Sequence, residues 1–221
     1  MARLVLRPAG LLVVVAMALF LGPAAWGWGG WGPLLAHPAR AGACAATIAA
    51  AVAIAFTDVN ARGLRRPDTH GSLALVPLAI LGVILTGLPA YCDRRNLVTI
   101  DGDATRYVGL ALLLIGCVLR IGPMFVLGGR FTWPLASQEP HRLETTGFYR
   151  HVRHPSYLGA VLWGLGWALV FRSLLGVALM ALEVVLFHPI IAEEEALLSA
   201  EFGDDYAAYR RRTWRLVPFL Y

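Results

Sequence analysis

The chain has 221 residues, of which 58% are hydrophobic and 15% charged, and its mean hydropathy is +0.63. Soluble domains carry about 25% charged residues, so this composition excludes an ordinary water-soluble protein and predicts one that lipid surrounds. The formal net charge is +5, with 19 arginines and no lysine. No basic helix or aromatic–basic sheet pattern accompanies the excess, so it favours membrane orientation over nucleic-acid binding.

Six apolar segments are candidate membrane spans, because a helix needs about 20 apolar residues to cross the hydrocarbon core. The first could instead be a signal peptide, since Arg3 and Arg7 precede it; we expect a retained helix. The sequence therefore predicts an all-α, polytopic transmembrane bundle of about five or six spans. The segments are residues 11–26, 41–56, 73–91, 107–127, 157–171 and 174–191.

The last two segments are separated only by Arg172 and Ser173, which predicts a tight helical hairpin with both outer ends on one membrane side. Arginines concentrate in residues 58–71, 130–156 and 210–215. By the positive-inside rule these stretches lie in the cytoplasm. We expect residues 1–129 to form N-terminal transmembrane helices, and residues 130–221 to add a cytoplasmic cap, the hairpin and a tail within one membrane domain.

The densest polar motif, residues 141–159, runs directly into an apolar helix. Pro155 suits the first turn of that helix, where its missing N–H costs nothing. Arg153 and His154 then stand before a helix N-terminus, whose free N–H groups favour an anionic group such as a carboxylate. Alternatively, these two side chains only anchor the helix among lipid headgroups.

Three consecutive glutamates, Glu193, Glu194 and Glu195, follow the last apolar segment. Successive helical residues differ by about 100°, so at least one should face protein if the helix packs on a neighbour. Alternatively, the glutamates are simply exposed to solvent where the helix leaves the membrane. Beyond them, aromatic and basic residues alternate over residues 202–218, a pattern typical of a stretch that lies on headgroups or folds back as a lid.

Two isolated charges, Arg120 and Glu183, occur within apolar segments. Charges are costly there, so both are candidate functional or paired residues, although Arg120 can instead snorkel to the interface. The three cysteines form no CxxC pair, and we interpret them as small buried hydrophobic residues. We expect no metal.

In this order the motifs resemble the isoprenylcysteine carboxyl methyltransferase (ICMT) family and its phospholipid methyltransferase relatives. The resemblance covers roughly residues 130–221, while the earlier part matches only as membrane helices. The matching positions are His141, Leu143, Thr145, Thr146, Gly147, Tyr149, Arg153, His154, Pro155, Tyr157, Gly159, Glu194, Glu195, Leu198, Phe202, Gly203, Tyr206, Tyr209 and Pro218.

The resemblance implies an S-adenosyl-L-methionine-dependent methyltransferase that receives a lipophilic or lipidated acceptor from the bilayer. Arg153 or Arg212 would orient an anionic acceptor, and Glu195 or His188 would serve as a base for a protonated one. The arginine- and alanine-rich composition suggests a bacterial inner membrane with the active site facing the cytoplasm. The implied cofactor-binding residues are Gln138, His141, Leu143, Tyr149, His154, Pro155, Ser156, Tyr157 and Glu194.

The sequence departs from the family pattern where the acceptor would bind. Ile190 stands where the family places an arginine suited to the substrate carboxylate, and Thr213-Trp214 replaces a Val-Pro pair. The sequence therefore does not identify the methyl acceptor, and a prenylated cysteine, a phospholipid amine, a small thiol and an isoprenoid acid are all compatible with it. The oligomeric state is also open.

Two other functions fit a membrane protein of this kind. A sterol-type reductase using NADPH has a related C-terminal half, but it usually has more spans, and this chain carries no extra basic cluster for a 2′-phosphate. The chain could also be a non-enzymatic transporter or structural subunit, and polar residues near the middle of the membrane would support a transporter. Here they concentrate towards one face, which favours chemistry with a water-soluble cofactor.

Overall fold

The computed structural model describes residues 8–55, 71–127 and 143–219. Within these ranges every regular element is a helix, as the sequence predicts, and β-pairing is limited to isolated bridges. The helices are α1 (Pro8–Trp28), α2 (Trp31–Leu35), α3 (Pro38–Ala55), α4 (Gly71–Arg95), α5 (Ala104–Leu127), a 3₁₀ helix (Gly147–Arg150), α6 (Pro155–Val170) and α7 (Leu174–Arg211).

The predicted C-terminal hairpin is formed by α6 and α7. Arg172 turns the chain with a positive φ of 50°. Ser173 caps α7, because its hydroxyl accepts a hydrogen bond from the Gly176 amide at 3.0 Å. This cap satisfies one of the free N–H groups at the helix N-terminus. The hairpin therefore places the start of α6 and the later turns of α7 at the same end of the bundle.

Helix α7 is longer than its apolar segment. It continues through the glutamates and most of the aromatic–basic stretch to Arg211, with a kink at Gly203 (φ 48°, ψ −119°) that glycine tolerates. Residues 202–211 of the expected surface stretch thus extend α7, and the alanine and arginine residues among them favour helix. Only the residues after Arg211 fold back towards α6.

The closest packing of two helices is between α5 and α6, which run antiparallel. Glycines seven residues apart on each helix meet: Gly109 faces Gly166, and Gly116 faces Gly159. A Cβ added at Gly116 would lie 2.8 Å from the Gly159 carbonyl oxygen, and one at Gly109 would lie 2.7 Å from that of Gly166. Small residues at such positions let membrane helices approach closely, so this contact fixes the position of α6.

A buried ion-pair network stabilises the end of the bundle that contains the turn between α6 and α7, opposite the start of α6. Asp93, at the end of α4, accepts hydrogen bonds from Arg106 Nη2 at 3.0 Å and from Arg172 Nε at 2.9 Å. Arg40 of α3 lies 4.0 Å from the same carboxylate and 3.8 Å from the ring centroid of Trp28. One carboxylate therefore connects α3, α4, α5 and the turn of the hairpin.

Two of the described helices, α5 and α7, are long and apolar enough to cross a membrane, while 38–54 and 155–170 are shorter apolar helices. The apolar windows of α5 and α7 are only 22% and 28% buried. Side chains such as Val118 (60% exposed) and Val185 (65% exposed) face outwards. Large apolar surfaces of this kind are stable in lipid rather than in water.

Candidate active site

The polar motifs meet where α6 begins and α7 leaves its apolar part. His154, only 3% exposed, is the N-cap of α6. Its Nδ1 lies 3.7 Å from Oε2 of Glu194, and its Nε2 lies 3.3 Å from Oε1 of Glu195. The imidazole thus contacts two consecutive carboxylates, and the 100° helical step leads one of them, Glu195, into the protein.

Glu195 lies at the centre of a buried ion-pair network. The residue is 3% exposed. Arg153 Nε donates to Oε1 at 2.8 Å, and Arg215 Nε donates to Oε2 at 3.0 Å. Charge-assisted hydrogen bonds from two guanidinium groups stabilise the ionised carboxylate. Glu195 therefore joins the N-terminus of α6 to α7 and to the tail.

The tail pairs with the segment before α6 through backbone hydrogen bonds. The Arg153 amide donates to the Trp214 carbonyl at 2.8 Å, and the Trp214 amide donates to the His151 carbonyl at 2.9 Å. The His154 amide donates to the Arg215 carbonyl at 3.2 Å. The tail thus closes one side of the site and holds Arg215 beside Glu195.

An aromatic contact forms another wall of the site. Tyr157, 8% exposed, packs edge-on against His154 at 5.8 Å and against Phe187 at 5.3 Å between ring centroids. Its side chain also hydrogen-bonds Glu194. Pro155 occupies the first turn of α6 and is buried. This arrangement offers a flat apolar face beside a carboxylate and an imidazole.

Tyr206 places a buried hydroxyl near this cluster. The residue is 1% exposed and interacts electrostatically with both Glu194 and Glu195. Across the described part of the chain, the Tyr206 hydroxyl finds no hydrogen-bond partner. Tyr209, one turn later, donates instead to the Tyr149 carbonyl at 2.7 Å. Since an unsatisfied buried hydroxyl costs about 1–3 kcal/mol, Tyr206 is a candidate contact for a bound molecule.

Other predicted site residues lie further out. Ser156 is buried, but its hydroxyl meets Arg120 of α5 rather than the carboxylates. Leu143 and Tyr149 are partly buried in the segment leading to α6, and His188 is exposed. Arg212 is exposed beside the Tyr209 ring, 5.9 Å from its centroid. Gln138 and His141 lie outside the described residues.

Sequence reasoning missed Arg215 as a partner of Glu195 and Tyr206 as a site residue. Arg215 contributes to the tail's positive charge, and only the fold places it beside a carboxylate. Tyr206 is one of the aromatic residues that match the family motif, and this match could have identified it as a candidate site residue. No group of three potential metal ligands occurs in residues 8–55, 71–127 or 143–219.

Fold and site together define an all-helical membrane protein with a polar site at one end of a helical hairpin. Residues 109–200 match the model of the Isoprenylcysteine carboxyl methyltransferase (ICMT) family. This segment includes α6, the hairpin turn and both glutamates of the site. The resemblance inferred from the motifs is therefore confirmed over this segment of the chain.

Curated relatives show the same resemblance. The chain is 35% identical over 114 residues to a protein-S-isoprenylcysteine O-methyltransferase of Schizosaccharomyces pombe, which is 50% of this chain and 48% of that protein. A mouse protein of the same name is 33% identical over 115 residues, 51% of this chain and 41% of its own length. The matched segment thus spans less than half of either relative.

A solved structure shares the fold over nearly the whole chain. It is described as the eukaryotic intramembrane Ras methyltransferase ICMT without a monobody. The match covers 96% of this chain and 74% of that one, with a TM-score of 0.51 and 21% sequence identity. At this identity the likeness concerns the fold, and it extends to the N-terminal helices that the sequence matches only as apolar segments.

Proposed function

We propose that this protein is a membrane methyltransferase that transfers a methyl group from S-adenosyl-L-methionine to a lipophilic acceptor, such as the carboxylate of a prenylcysteine, a related lipophilic acid or a thiol. The observation that carries the proposal is the 3.7 Å contact between His154 and Glu194. These residues come from separate motifs of a methyltransferase family and meet at one site. The curated relatives' printed names support the same reaction class.

The side chains fit the proposed cofactor. S-Adenosylmethionine combines a cationic amino group and sulfonium with a carboxylate and a flat adenine ring. Glu194 would bind a cationic or hydroxyl group, while the Tyr157 and His154 rings would contact the adenine. The unpartnered Tyr206 hydroxyl supplies a further polar contact. Leu143, Tyr149, Pro155 and Ser156 stay predicted members of the surrounding pocket, as do Gln138 and His141.

Glu195 suits a positioning role in this proposal. Its bonds to Arg153 and Arg215 hold the tail against α6 and keep the His154 ring between the two carboxylates. Arg153 is partly committed to this pair, so it would contribute to the site mainly by orienting His154. Arg212, exposed at the surface, stays a predicted contact for an anionic acceptor head.

An anionic acceptor simplifies the chemistry. When bound, S-adenosylmethionine supplies a methyl group that a carboxylate oxygen takes up as the carbon–sulfur bond breaks, with the bonding electron pair left on sulfur. No proton moves in this exchange, so no general base is required. The protein contributes alignment and exclusion of water, which can supply roughly 7–11 kcal/mol.

We also propose that the chain crosses the membrane about five or six times, with the site on the cytoplasmic side of a bacterial inner membrane. Between Ser173 and Glu195, α7 rises roughly 33 Å at 1.5 Å per residue, close to the hydrocarbon thickness of about 30 Å. The site end carries Arg150, Arg153 and the arginines of the tail, as cytoplasmic ends usually do. Residues 1–129 and 130–221 would form one unit, since α5 packs closely on α6.

The reaction can be tested with purified protein in lipid nanodiscs. The protein is incubated with methyl-labelled S-adenosylmethionine and native lipid extract, and labelled products are identified by mass spectrometry. We expect one predominant labelled lipid, absent when Glu194→Ala protein is used. Binding of NADPH with no binding of S-adenosylmethionine would instead support the reductase alternative.

A further inference from the structure

An open hollow of about 450 Å³ lies between the end of α7 and the tail that follows it. Its volume is within the usual range of small-molecule sites, about 300–1,000 Å³. Among the described residues, none of those that line it is acidic. A concave surface with one sign of charge attracts ligands of the opposite sign, so this basic hollow favours an anion. Its charged and large aromatic lining residues are Arg153, Arg210, Arg211, Arg215 and Trp214.

The four arginines of the basic hollow differ in what they contact. Arg153 and Arg215 are both paired with Glu195. Arg153 Nη1 also donates to the Arg210 carbonyl at 3.3 Å, which fixes the wall of the hollow at the end of α7. Arg210 and Arg211 are exposed, and within residues 8–55, 71–127 and 143–219 neither guanidinium forms an ion pair. Two arginines thus shape the hollow, and two can bind a ligand.

The basic hollow lies beside the start of α6. The Arg153 amide donates to the Trp214 carbonyl at 2.8 Å, so the tail lies against the residues that precede this helix. Helix α6 begins at Pro155, two residues after Arg153. In the proposed topology the start of α6 lies at the cytoplasmic membrane surface, where anionic lipid headgroups create a negative potential. The hollow is therefore at the level at which lipid phosphates are expected.

Exposed apolar side chains follow the basic hollow along the tail. Phe219 is 88% exposed and Val217 is 41% exposed. The Phe219 ring lies 4.7 Å from the ring of Trp214, which lines the hollow. Basic residues beside exposed aromatic and aliphatic ones are typical of a surface that lies in the membrane interface. A soluble anion would leave Phe219 and Val217 in water, whereas a lipid would cover them with its acyl chains.

We propose that the basic hollow binds the headgroup of an anionic phospholipid, with Arg210 and Arg211 on the phosphate and Phe219 against the acyl chains. A guanidinium presents its donors in a planar fork that matches phosphate oxygens with two parallel hydrogen bonds. The bound lipid is a ligand of the tail and not the methyl acceptor, so the proposal goes beyond the proposed reaction. It uses the proposed membrane topology. Because Arg215 of the same tail pairs with Glu195, the lipid would also hold the tail in place.

Native mass spectrometry of the purified, delipidated full-length protein in mild detergent measures this binding directly. Dioleoylphosphatidylglycerol is the anionic probe, and it carries no amine, carboxylate or thiol that would make it a methyl acceptor of the proposed classes. Dioleoylphosphatidylcholine has the same phosphate with a choline cation beside it, and dioleoylglycerol has no phosphate. We expect phosphatidylglycerol to bind at least about tenfold more tightly than either control, because only its headgroup brings a net negative charge to the arginines.

A matched pair of double variants separates this site from general attraction between charges. Arg210→Gln/Arg211→Gln removes two consecutive exposed arginines at the basic hollow, and Arg94→Gln/Arg95→Gln removes two consecutive exposed arginines at the end of α4. The first variant should lose at least about tenfold in affinity for phosphatidylglycerol, and the second should keep the wild-type affinity. Phe219→Ser should weaken lipid binding severalfold, since its exposed ring no longer meets the acyl chains. Thermal unfolding verifies that each variant is folded.

Several outcomes would overturn the proposal. Equal binding of phosphatidylglycerol and phosphatidylcholine to wild type, or equal losses in the two double variants, would show that the basic hollow does not select an anionic lipid. Full competition by inorganic phosphate, with Phe219→Ser unaffected, would assign the hollow to a soluble anion. Full competition by hexa-aspartate would assign it to an acidic polypeptide. The lipid comparison uses wild-type protein, so it decides the question even if a variant fails to fold, and its result does not depend on binding of S-adenosylmethionine.

Discussion

Arg153 and Glu195, 42 residues apart in the chain, form a direct ion pair with 2.8 Å between Nε and Oε1. The pair joins the start of α6 to α7, and Arg215 on the other carboxylate oxygen brings in the tail. Three chain segments thus depend on one carboxylate. Their arrangement sets the position of His154, and through it the geometry of the proposed donor site.

Replacing Glu195 with alanine should reduce stability sharply. Removing one partner of a buried ion pair leaves the other charges uncompensated and typically costs about 3–5 kcal/mol. The loss can be measured by thermal unfolding in detergent. Asp204→Ala, at an exposed position on the same helix, is the matched control and should change the free energy of unfolding by about 0.5 kcal/mol or less. Equal effects of both variants would contradict the network's importance.

Tyr206→Phe should have opposite effects on the free protein and on cofactor binding. Removing an unsatisfied buried hydroxyl should leave the free protein unchanged or more stable, by up to about 1 kcal/mol. Affinity for S-adenosylmethionine should fall about tenfold if the hydroxyl contacts it. Unfolding and calorimetry give the two readouts.

Tyr209→Phe is the control for this pair of effects, because Tyr209 donates a hydrogen bond to the Tyr149 carbonyl. Its loss should destabilise the free protein by about 1 kcal/mol. A Tyr206→Phe protein that is destabilised like Tyr209→Phe, with unchanged affinity, would assign Tyr206 a purely structural role.

Gly116→Leu should disrupt the α5–α6 contact. Even a Cβ at this position would lie 2.8 Å from the Gly159 carbonyl oxygen, and overpacking of this kind costs about 1–3 kcal/mol or more. Because α6 carries His154, binding of S-adenosylmethionine should weaken as well. Gly22→Ala is the control, since a Cβ there meets nothing within 4 Å. A well-folded Gly116→Leu protein with normal binding would contradict the proposed role of this packing.

Asp93→Asn should destabilise the protein without changing its affinity for S-adenosylmethionine. Asp93 neutralises Arg106 and Arg172 at the end of the bundle opposite the site. The substitution should lower the free energy of unfolding by about 3 kcal/mol and leave the affinity for S-adenosylmethionine unchanged in the protein that remains folded. Asp101→Asn, in an exposed loop, should alter neither. A selective loss of cofactor affinity in Asp93→Asn would show coupling between the two ends.

Apolar length predicted the helices and the hairpin that brings the start of α6 and the later turns of α7 to one end of the bundle. The meeting of His154 with Glu194 was predicted by the family resemblance. The 100° step likewise predicted that one glutamate turns inwards. The sequence did not reveal that Arg215 pairs with Glu195, since this contact depends on how the tail folds back along residues 151–154. Nor did it reveal the facing glycines of α5 and α6, whose seven-residue spacing has meaning only once the two helices are known to be neighbours.

His154 and Glu194, in contact at 3.7 Å, form the proposed site of the methyl donor. Isothermal titration of purified wild-type, Glu194→Ala and Glu193→Ala proteins with S-adenosylmethionine tests it most directly. We expect saturable binding to wild type and to Glu193→Ala, with no detectable binding to Glu194→Ala. Wild-type affinity in a folded Glu194→Ala protein, or no binding to wild type at all, would contradict it.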